Sequence, residues 1–149
     1  MTLNYTLDVG AYAPIKAHRR DAGYDLRTPT DIVIPALTII ASSDGEIRRT
    51  ENSCIIDTGV HVEIPEGYVG MLKSKSGLNV KHSILSEGVI DAGYTGSVVV
   101  KLYNHGVEDV VLPAGSKITQ LVVLPIMDET ELYEKDDNRL DNGFGSTGK

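Results

Sequence analysis

The sequence lacks tryptophan and contains one phenylalanine and one cysteine among its 149 residues. A single cysteine excludes an internal disulfide and any cysteine-rich metal site. Cys54 precedes Ile55 and Ile56, which predicts a small buried core residue with an inert thiol. The chemistry of this chain therefore has to come from carboxylates, cations, hydroxyls and backbone amides.

Long apolar runs are also missing. The longest stretches, Ile32 to Ala41 and Leu121 to Met127, are too short to span a bilayer, and the first residues lack the pattern of a secretory leader. These features predict no membrane contact and a soluble, cytoplasmic protein, or one of the host cytoplasm if its source is viral.

A basic face is absent as well. The net charge is −7, and residues 128–141 hold seven acids against Lys135 and Arg139, which gives that segment −5. A general nucleic-acid surface needs clustered cations, so no nucleic-acid partner is expected. A small polyanion can still bind through a few cations and backbone amides.

Glycine, in contrast, occurs fifteen times, and glycines and prolines divide the chain into short apolar segments. This punctuation is typical of many short strands and predicts an all-β, single-domain protein with one short helix after Lys75. Residues 1–127 are expected to form the body. Residues 128–149 are expected to form an acidic linker and a flexible, glycine-rich C-terminal arm of the same domain.

The stretch Gly88 to Gly96 places Asp91 and Tyr94 between an apolar pair and two glycines. It predicts a strand, a tight turn and a returning strand, Val98 to Tyr103, with both side chains presented at the tip. An ordinary Asp-Ala-Gly turn with a packed tyrosine fits the same residues.

Three other stretches carry groups suited to an anion. Lys75-Ser76-Gly77 is a plausible helix start, with Ser76 as its cap, and Gln120 is a polar residue within a strand. The tail Gly143 to Lys149 has the composition either of a frayed terminus or of a backbone cradle for phosphate. Asp25 fits either a turn cap or a functional acid, and its local sequence favours the turn cap.

In this order the stretches resemble the five motifs of the trimeric dUTPase family, which span nearly the whole chain. The matching segments are Ala22-Gly23-Tyr24-Asp25-Leu26, Lys75-Ser76-Gly77-Leu78, Gly88 to Gly96, Gly115 to Leu121, and Arg139 followed by Gly143-Phe144-Gly145-Ser146-Thr147-Gly148.

The resemblance implies a distorted β jelly roll of the β-clip type, a homotrimer with active sites shared between subunits, and Mg²⁺-dependent hydrolysis of dUTP to dUMP and diphosphate, which supplies dUMP for thymidylate synthesis.

The resemblance also assigns Asp91 as the base that activates water, Tyr94 as the residue under the deoxyribose, and Asp25 as the contact to the metal through water. The remaining implied substrate contacts are main chain around Leu85, Gly88, Val89, Ile90 and Val99 for uracil, Lys75, Ser76, Gly77 and Gln120 for the phosphates, and Arg139, Phe144, Gly145, Ser146 and Thr147 in the closing tail.

Three departures from the family pattern stand out. Lys75 replaces the usual arginine and loses its bidentate fork, Leu140-Asp141-Asn142 intervene where glycine is usual, and the polar stretch 42–53 is longer than usual. Two alternatives therefore remain: a dCTP deaminase, which shares the fold, and a non-catalytic nucleotide-binding relative with a regulatory protein partner.

Overall fold

The computed structural model describes residues 2–127, which form twelve strands and one helix. The helix, α1, spans Ser76–His82 and connects two seven-residue strands at the centre of the large sheet. The strands are β1 (Asn4–Leu7), β2 (Tyr24–Arg27), β3 (Ile32–Ile34), β4 (Ile39–Ala41), β5 (Ile47–Arg49), β6 (Ser53–Asp57), β7 (Val60–Glu63), β8 (Tyr68–Ser74), β9 (Ile84–Ile90), β10 (Val99–Asn104), β11 (Val110–Leu112) and β12 (Lys117–Pro125).

Six of the strands form one antiparallel sheet in the order β2-β12-β8-β9-β10-β6. Three two-stranded sheets, β1-β7, β11-β3 and β4-β5, curl around it. Every pairing is antiparallel, as the short glycine-punctuated segments predict. The expected all-β jelly-roll fold with one short helix is confirmed.

Alternate side chains of the large sheet point inward to a single aliphatic core. Leu26, Leu72, Val100, Leu102 and Leu121 are almost completely buried, one or two from each of four strands of this sheet. Two-residue alternation of this kind is what a half-buried sheet requires. The core holds the sheet in a fixed register, because a one-residue slip would expose these side chains.

Two local predictions were wrong. Cys54 is only half-buried and Ile55 is 64% exposed, because β6 is an edge strand whose side chains alternate between core and outer face. Ser76 is the first helical residue rather than the cap; Lys75 occupies the N-cap position without a side-chain cap bond. The stretch 42–53 is exposed, as expected, but includes β5, which pairs with β4.

Within residues 2–127, α1 has seven residues and no helix is long and apolar enough to cross a membrane.

Candidate functional site

Asp25 lies on β2 between two lysines from other strands. Nζ of Lys75, which follows β8, is 2.5 Å from Oδ1, and Nζ of Lys117, which begins β12, is 2.7 Å from Oδ2. Asp25 is 3% exposed, so an ionised carboxylate here needs such partners. One carboxylate between two ammonium groups leaves the cluster with a net positive charge.

Burial alone would raise the pKa of the Asp25 carboxyl. The hydrogen bonds from Lys117 and Lys75 and the charges of the two lysines outweigh it, so the pKa lies below its usual 3.8. Asp25 is therefore an anion that fixes two cations. Its interpretation as an ordinary turn cap is wrong, because its oxygens contact lysine side chains rather than turn amides.

The remaining predicted phosphate contacts lie near this cluster. Gln120 pairs with Asp25 across β12 and β2, and its Nε2 is 3.5 Å from Asp25 Oδ1. Ser76 and Gly77 are exposed at the start of α1, directly after Lys75, and the position of a Cβ on Gly77 is open space. Lys117 was not predicted; its place within the segment Gly115 to Leu121 was the available signal.

The strands β9 and β10 pair over three residues only, at the start of β9 and the end of β10. Ile84, Leu85 and Ser86 match Asn104, Tyr103 and Leu102, and beyond them the two strands part. β9 continues against β8 as far as Ile90, whereas β10 continues against β6 from Val99. The predicted tight hairpin is therefore an open one, and the main chains of Gly88 to Ile90 and of Val99 face the gap between the strands.

Two side chains mark the open end of this gap. Asp91 is exposed one residue after β9, and its carbonyl oxygen accepts a 3.2 Å bond from the Tyr94 amide in a turn where Gly93 has φ +83°. The Tyr94 hydroxyl donates to the Ser97 carbonyl at 3.0 Å, and its ring lies against Gly96. The tip thus presents a carboxylate and an aromatic ring, as predicted.

Gly88 has a packing reason for lacking a side chain. A Cβ at this position would lie 2.9 Å from Leu72 Cδ1 in the core. Any side chain here would have to displace the end of Leu72 from its place in the core.

Within one chain, the lysine cluster around Asp25 and the turn that carries Asp91 lie far apart. Lys73 pairs with Glu87 and Gly70 with Ile90, so Lys75 and Asp91 lie at opposite ends of the β8-β9 ladder. At about 3.3 Å per residue the six steps between their levels amount to roughly 20 Å. A lysine side chain cannot span that distance. The predicted tail contacts, Arg139 and Phe144 to Thr147, lie outside the described residues.

The cluster around Asp25 suits a metal ion that is bound through water rather than by direct coordination. Among residues 2–127 no group of three or more His, Cys, Asp or Glu side chains converges as a metal centre. Asp25 offers hard oxygens, yet both are hydrogen-bonded to lysine, so direct coordination is disfavoured. These residues fit Mg²⁺ bound mainly by ligand phosphates and water, with the carboxylate contacting that water.

Comparisons with known proteins agree on one family. The dUTPase family model matches residues 11–148. A deoxyuridine 5'-triphosphate nucleotidohydrolase of Clostridium acetobutylicum is 38% identical over 150 residues, which covers 95% of this chain and 92% of that protein. The enzyme of the same name from Candida glabrata is 35% identical, covering 92% and 89%.

Solved structures give the same result. The dUTPase of Staphylococcus bacteriophage 80alpha, determined with dUpNHpp, is 28% identical, with a TM-score of 0.78 and 99% of each chain covered. A dUTPase from phage phi11 of S. aureus, described with a structural Mg(II) ion, is 27% identical, with a TM-score of 0.72 and coverage of 93% and 99%.

Proposed function

The chain belongs to the dUTPase family, and we propose which residues carry out its reaction. It is a dUTP diphosphatase that hydrolyses dUTP to dUMP and diphosphate, with Mg²⁺ as cofactor. The observation that carries the residue assignment is the open gap between β9 and β10, with Asp91 and Tyr94 at its end.

The gap binds the base in this proposal. Peptide groups of Gly88 to Ile90 and of Val99 line it, whereas Leu85 lies in the paired part of the two strands beside the gap. Uracil presents both hydrogen-bond donors and acceptors on its edge. A slot with backbone walls excludes the methyl group of thymine by shape. The Tyr94 ring packs under the deoxyribose and leaves no room for a 2′-hydroxyl.

The cluster around Asp25 binds the phosphates. Lys75 supplies charge, and Ser76, Gly77 and Gln120 supply donors at the same end of β8 and β12. When bound, Mg²⁺ neutralises part of the phosphate charge, with Asp25 holding a water of its shell. Residues 128–149 act as an arm of the same domain. Its Phe144 covers the base, and its Arg139, Gly145, Ser146 and Thr147 close on the phosphates.

Asp91 is the general base. Its carboxylate accepts a proton from a water molecule as the water oxygen attacks the α-phosphorus. The bond between the α-phosphorus and the bridging oxygen breaks, and diphosphate leaves with that oxygen. Closure of the arm excludes bulk water and strengthens the contacts to the developing charge.

The separation of Asp91 from Lys75 supports a site shared between copies in a homotrimer. The outer face of the central sheet carries exposed apolar side chains, with Val89 63%, Val99 49% and Ile55 64% accessible, beside the charged Asp57 and Lys101. Exposed apolar side chains from several strands of one face are typical of a surface that associates. A second copy that packs here brings its Asp25 cluster to the Asp91 of the first.

Diphosphate release from dUTP, measured beside dTTP, dCTP and UTP with and without Mg²⁺, tests the activity. We expect turnover of dUTP alone, and Asp91→Asn to abolish it while dUTP still binds. Near-normal turnover by Asp91→Asn would remove Asp91 from the mechanism. Ammonia release from dCTP would support the deaminase alternative, which the family match does not favour.

A mixing experiment tests the shared site. Asp91→Asn and Ser76→Ala are each expected to be inactive as pure proteins, and refolding them together should restore part of the activity, because some sites then contain both native residues. Gel filtration should show a trimer. An active monomer, or no recovery on mixing, would contradict this part of the proposal. We also propose a cytoplasmic location and a partner-binding role for residues 42–53.

A further inference from the structure

The segment from Asp91 to Ser97 carries two of the proposed functional side chains and is held at few points. At its far end Ser97 Oγ donates to Asp57 Oδ1 at 2.6 Å, and Val98 bonds to Val60 at 2.8 Å. Within residues 2–127, the bond that ties residues 92–96 to another element joins the Thr95 carbonyl to His61 Nδ1 at 2.9 Å. The position of the tip therefore depends on one imidazole on β7.

The second nitrogen of that imidazole has its own partner. His61 Nε2 lies 3.2 Å from Oδ1 of Asp8, which follows β1. A carbonyl oxygen and an ionised carboxylate both only accept hydrogen bonds, so each imidazole nitrogen must carry a proton if both bonds are to form. A neutral His61 keeps only one of them. The geometry consequently selects the imidazolium form.

The charges around His61 favour the same form. The hydrogen bond to the Thr95 carbonyl and then the bond to Asp8 raise the pKa of His61 above its usual 6.5, and partial desolvation opposes them. Asp57, at the end of β6, adds a further negative charge. Glu63, on β7 itself, accepts a bond from Asn4.

His61 also shares a wall with the tip. A cleft of about 460 Å³ lies between the β1-β7 sheet and residues 93–95, and His61, Tyr94 and Thr95 all line it. A change in the His61 bonds therefore changes the surface that Tyr94 presents.

We propose that His61 is a positioning residue for the hydrolysis reaction: it fixes the Asp91–Ser97 segment through Thr95, and its protonated form is itself held by Asp8. This role rests on the proposed function of Asp91 and Tyr94. His61 contacts no reacting atom in this scheme. Its contribution is to keep the base and the ring in one arrangement, since small displacements of catalytic groups are costly.

Two substitutions separate positioning from packing. His61→Asn keeps an amide donor close to the position of Nδ1, whereas His61→Phe keeps the ring volume and loses both donors. We expect His61→Phe to lower kcat for dUTP by roughly tenfold or more, and His61→Asn to restore most of it. His105→Asn, at an exposed turn after β10, is the matched control and should leave kcat unchanged.

The pH profile is the second readout. Protonated His61 predominates below its raised pKa. The neutral ring keeps one N–H, which the Asp8 carboxylate accepts more strongly than a carbonyl does, so the Thr95 bond is lost and the wild-type kcat should fall as pH rises through that pKa. His61→Asn has no titrating donor and should lack this alkaline decrease. The ¹⁵N signals of His61 should titrate above pH 6.5, and Asp8→Asn should lower that pKa.

Hydrogen exchange keeps the test independent of activity. The amides of residues 92–97 should exchange faster in His61→Phe than in the wild type and in His105→Asn. Absence of dUTP hydrolysis in the wild type would contradict the proposed function. The exchange rates would then still test whether His61 holds residues 92–97 through Thr95. Unchanged exchange, or a His61→Phe variant as active as the wild type with the same pH profile, would overturn the positioning role.

Discussion

Lys75 Nζ lies 2.5 Å from Asp25 Oδ1, which joins the segment after β8 to the middle of β2 through a carboxylate that is almost completely buried. Lys117 approaches the other oxygen of the same carboxylate. The two lysines are thus placed by an acid that lies 50 and 92 residues away from them in the sequence. The positive charge of the proposed phosphate site depends on this one side chain.

Asp25→Asn should be destabilising, because it leaves two partly buried ammonium groups without an anion. We expect a loss of about 1 to 3 kcal/mol in the free energy of unfolding, since the lysines retain some access to water. Urea denaturation measures it. Glu87→Gln breaks the exposed pair with Lys73 and serves as the control, with an expected change below about 1 kcal/mol. Equal effects of the two substitutions would contradict the structural role of Asp25.

The stabilising effect of Asp25 should depend on pH. Its folded-state pKa is depressed below 3.8, so the stabilisation is present above that pH and is lost as pH falls through the folded-state value. The difference in unfolding free energy between wild type and Asp25→Asn should be constant above about pH 5 and shrink on acidification. A difference that grows towards low pH would be inconsistent with an ionised Asp25.

Asn104 should be one of the most sensitive polar positions. Its buried Nδ2 donates to the carbonyls of Ile34 and Glu108, both at 2.9 Å, and its Oδ1 accepts from the Gly106 amide at 2.8 Å. Asn104→Ala leaves these groups unsatisfied and should cost about 2 to 4 kcal/mol. Thermal or urea unfolding will show it. Asn4→Ala removes one exposed bond to Glu63, so it should stay within about 0.5 kcal/mol of the wild type.

Gly77→Ala should separate stability from substrate binding. A Cβ at this helical position meets open space, and alanine favours a helix by about 0.5 to 1 kcal/mol over glycine. The variant should therefore unfold at higher urea concentration yet bind the non-hydrolysable analogue of dUTP more weakly, because the methyl group obstructs approach of phosphate to the backbone. Unchanged affinity would remove Gly77 from the phosphate site.

Gly70→Ala gives the opposite stability result and is the comparison for Gly77. Its Cβ would lie 3.0 Å from Leu121 Cδ1 and 3.1 Å from Ile64 Cδ1 and Ile90 Cβ. Because the site is enclosed on three sides, we expect a loss of about 1 to 3 kcal/mol. Both variants are compared in one urea titration series.

Local pattern was sufficient for most of the fold. The returning strand predicted over Val98 to Tyr103 lies within one residue of β10, and the short helix predicted after Lys75 is α1. These features depend on near neighbours, and the sequence displays them directly. The burial of Cys54 and Ile55 could not be predicted in this way. The buried face of β6 is decided by its pairing with β10, which lies far away in the sequence.

The site itself was predictable only in part. Asp91 and Tyr94 were placed at a turn, and the structure puts them there. The pairing of Lys117 with Asp25, however, follows from the register of β12 against β2, and the parting of β9 from β10 follows from their different outer partners. Neither register leaves a trace in the local sequence. The role of His61 has no local signal for the same reason, since Thr95 and Asp8 are 34 and 53 residues away.

The gap between β9 and β10 has an evolutionary consequence. Its proposed contacts are peptide N–H and C=O groups, which every residue except proline supplies in the same way. Point mutations along Leu85 to Val89 alter side chains on the outer face and in the core but leave these donors and acceptors in place. Side-chain substitutions therefore leave selectivity for the base unchanged. A change in selectivity requires a shift of the strands themselves, caused by a proline, an insertion or a deletion.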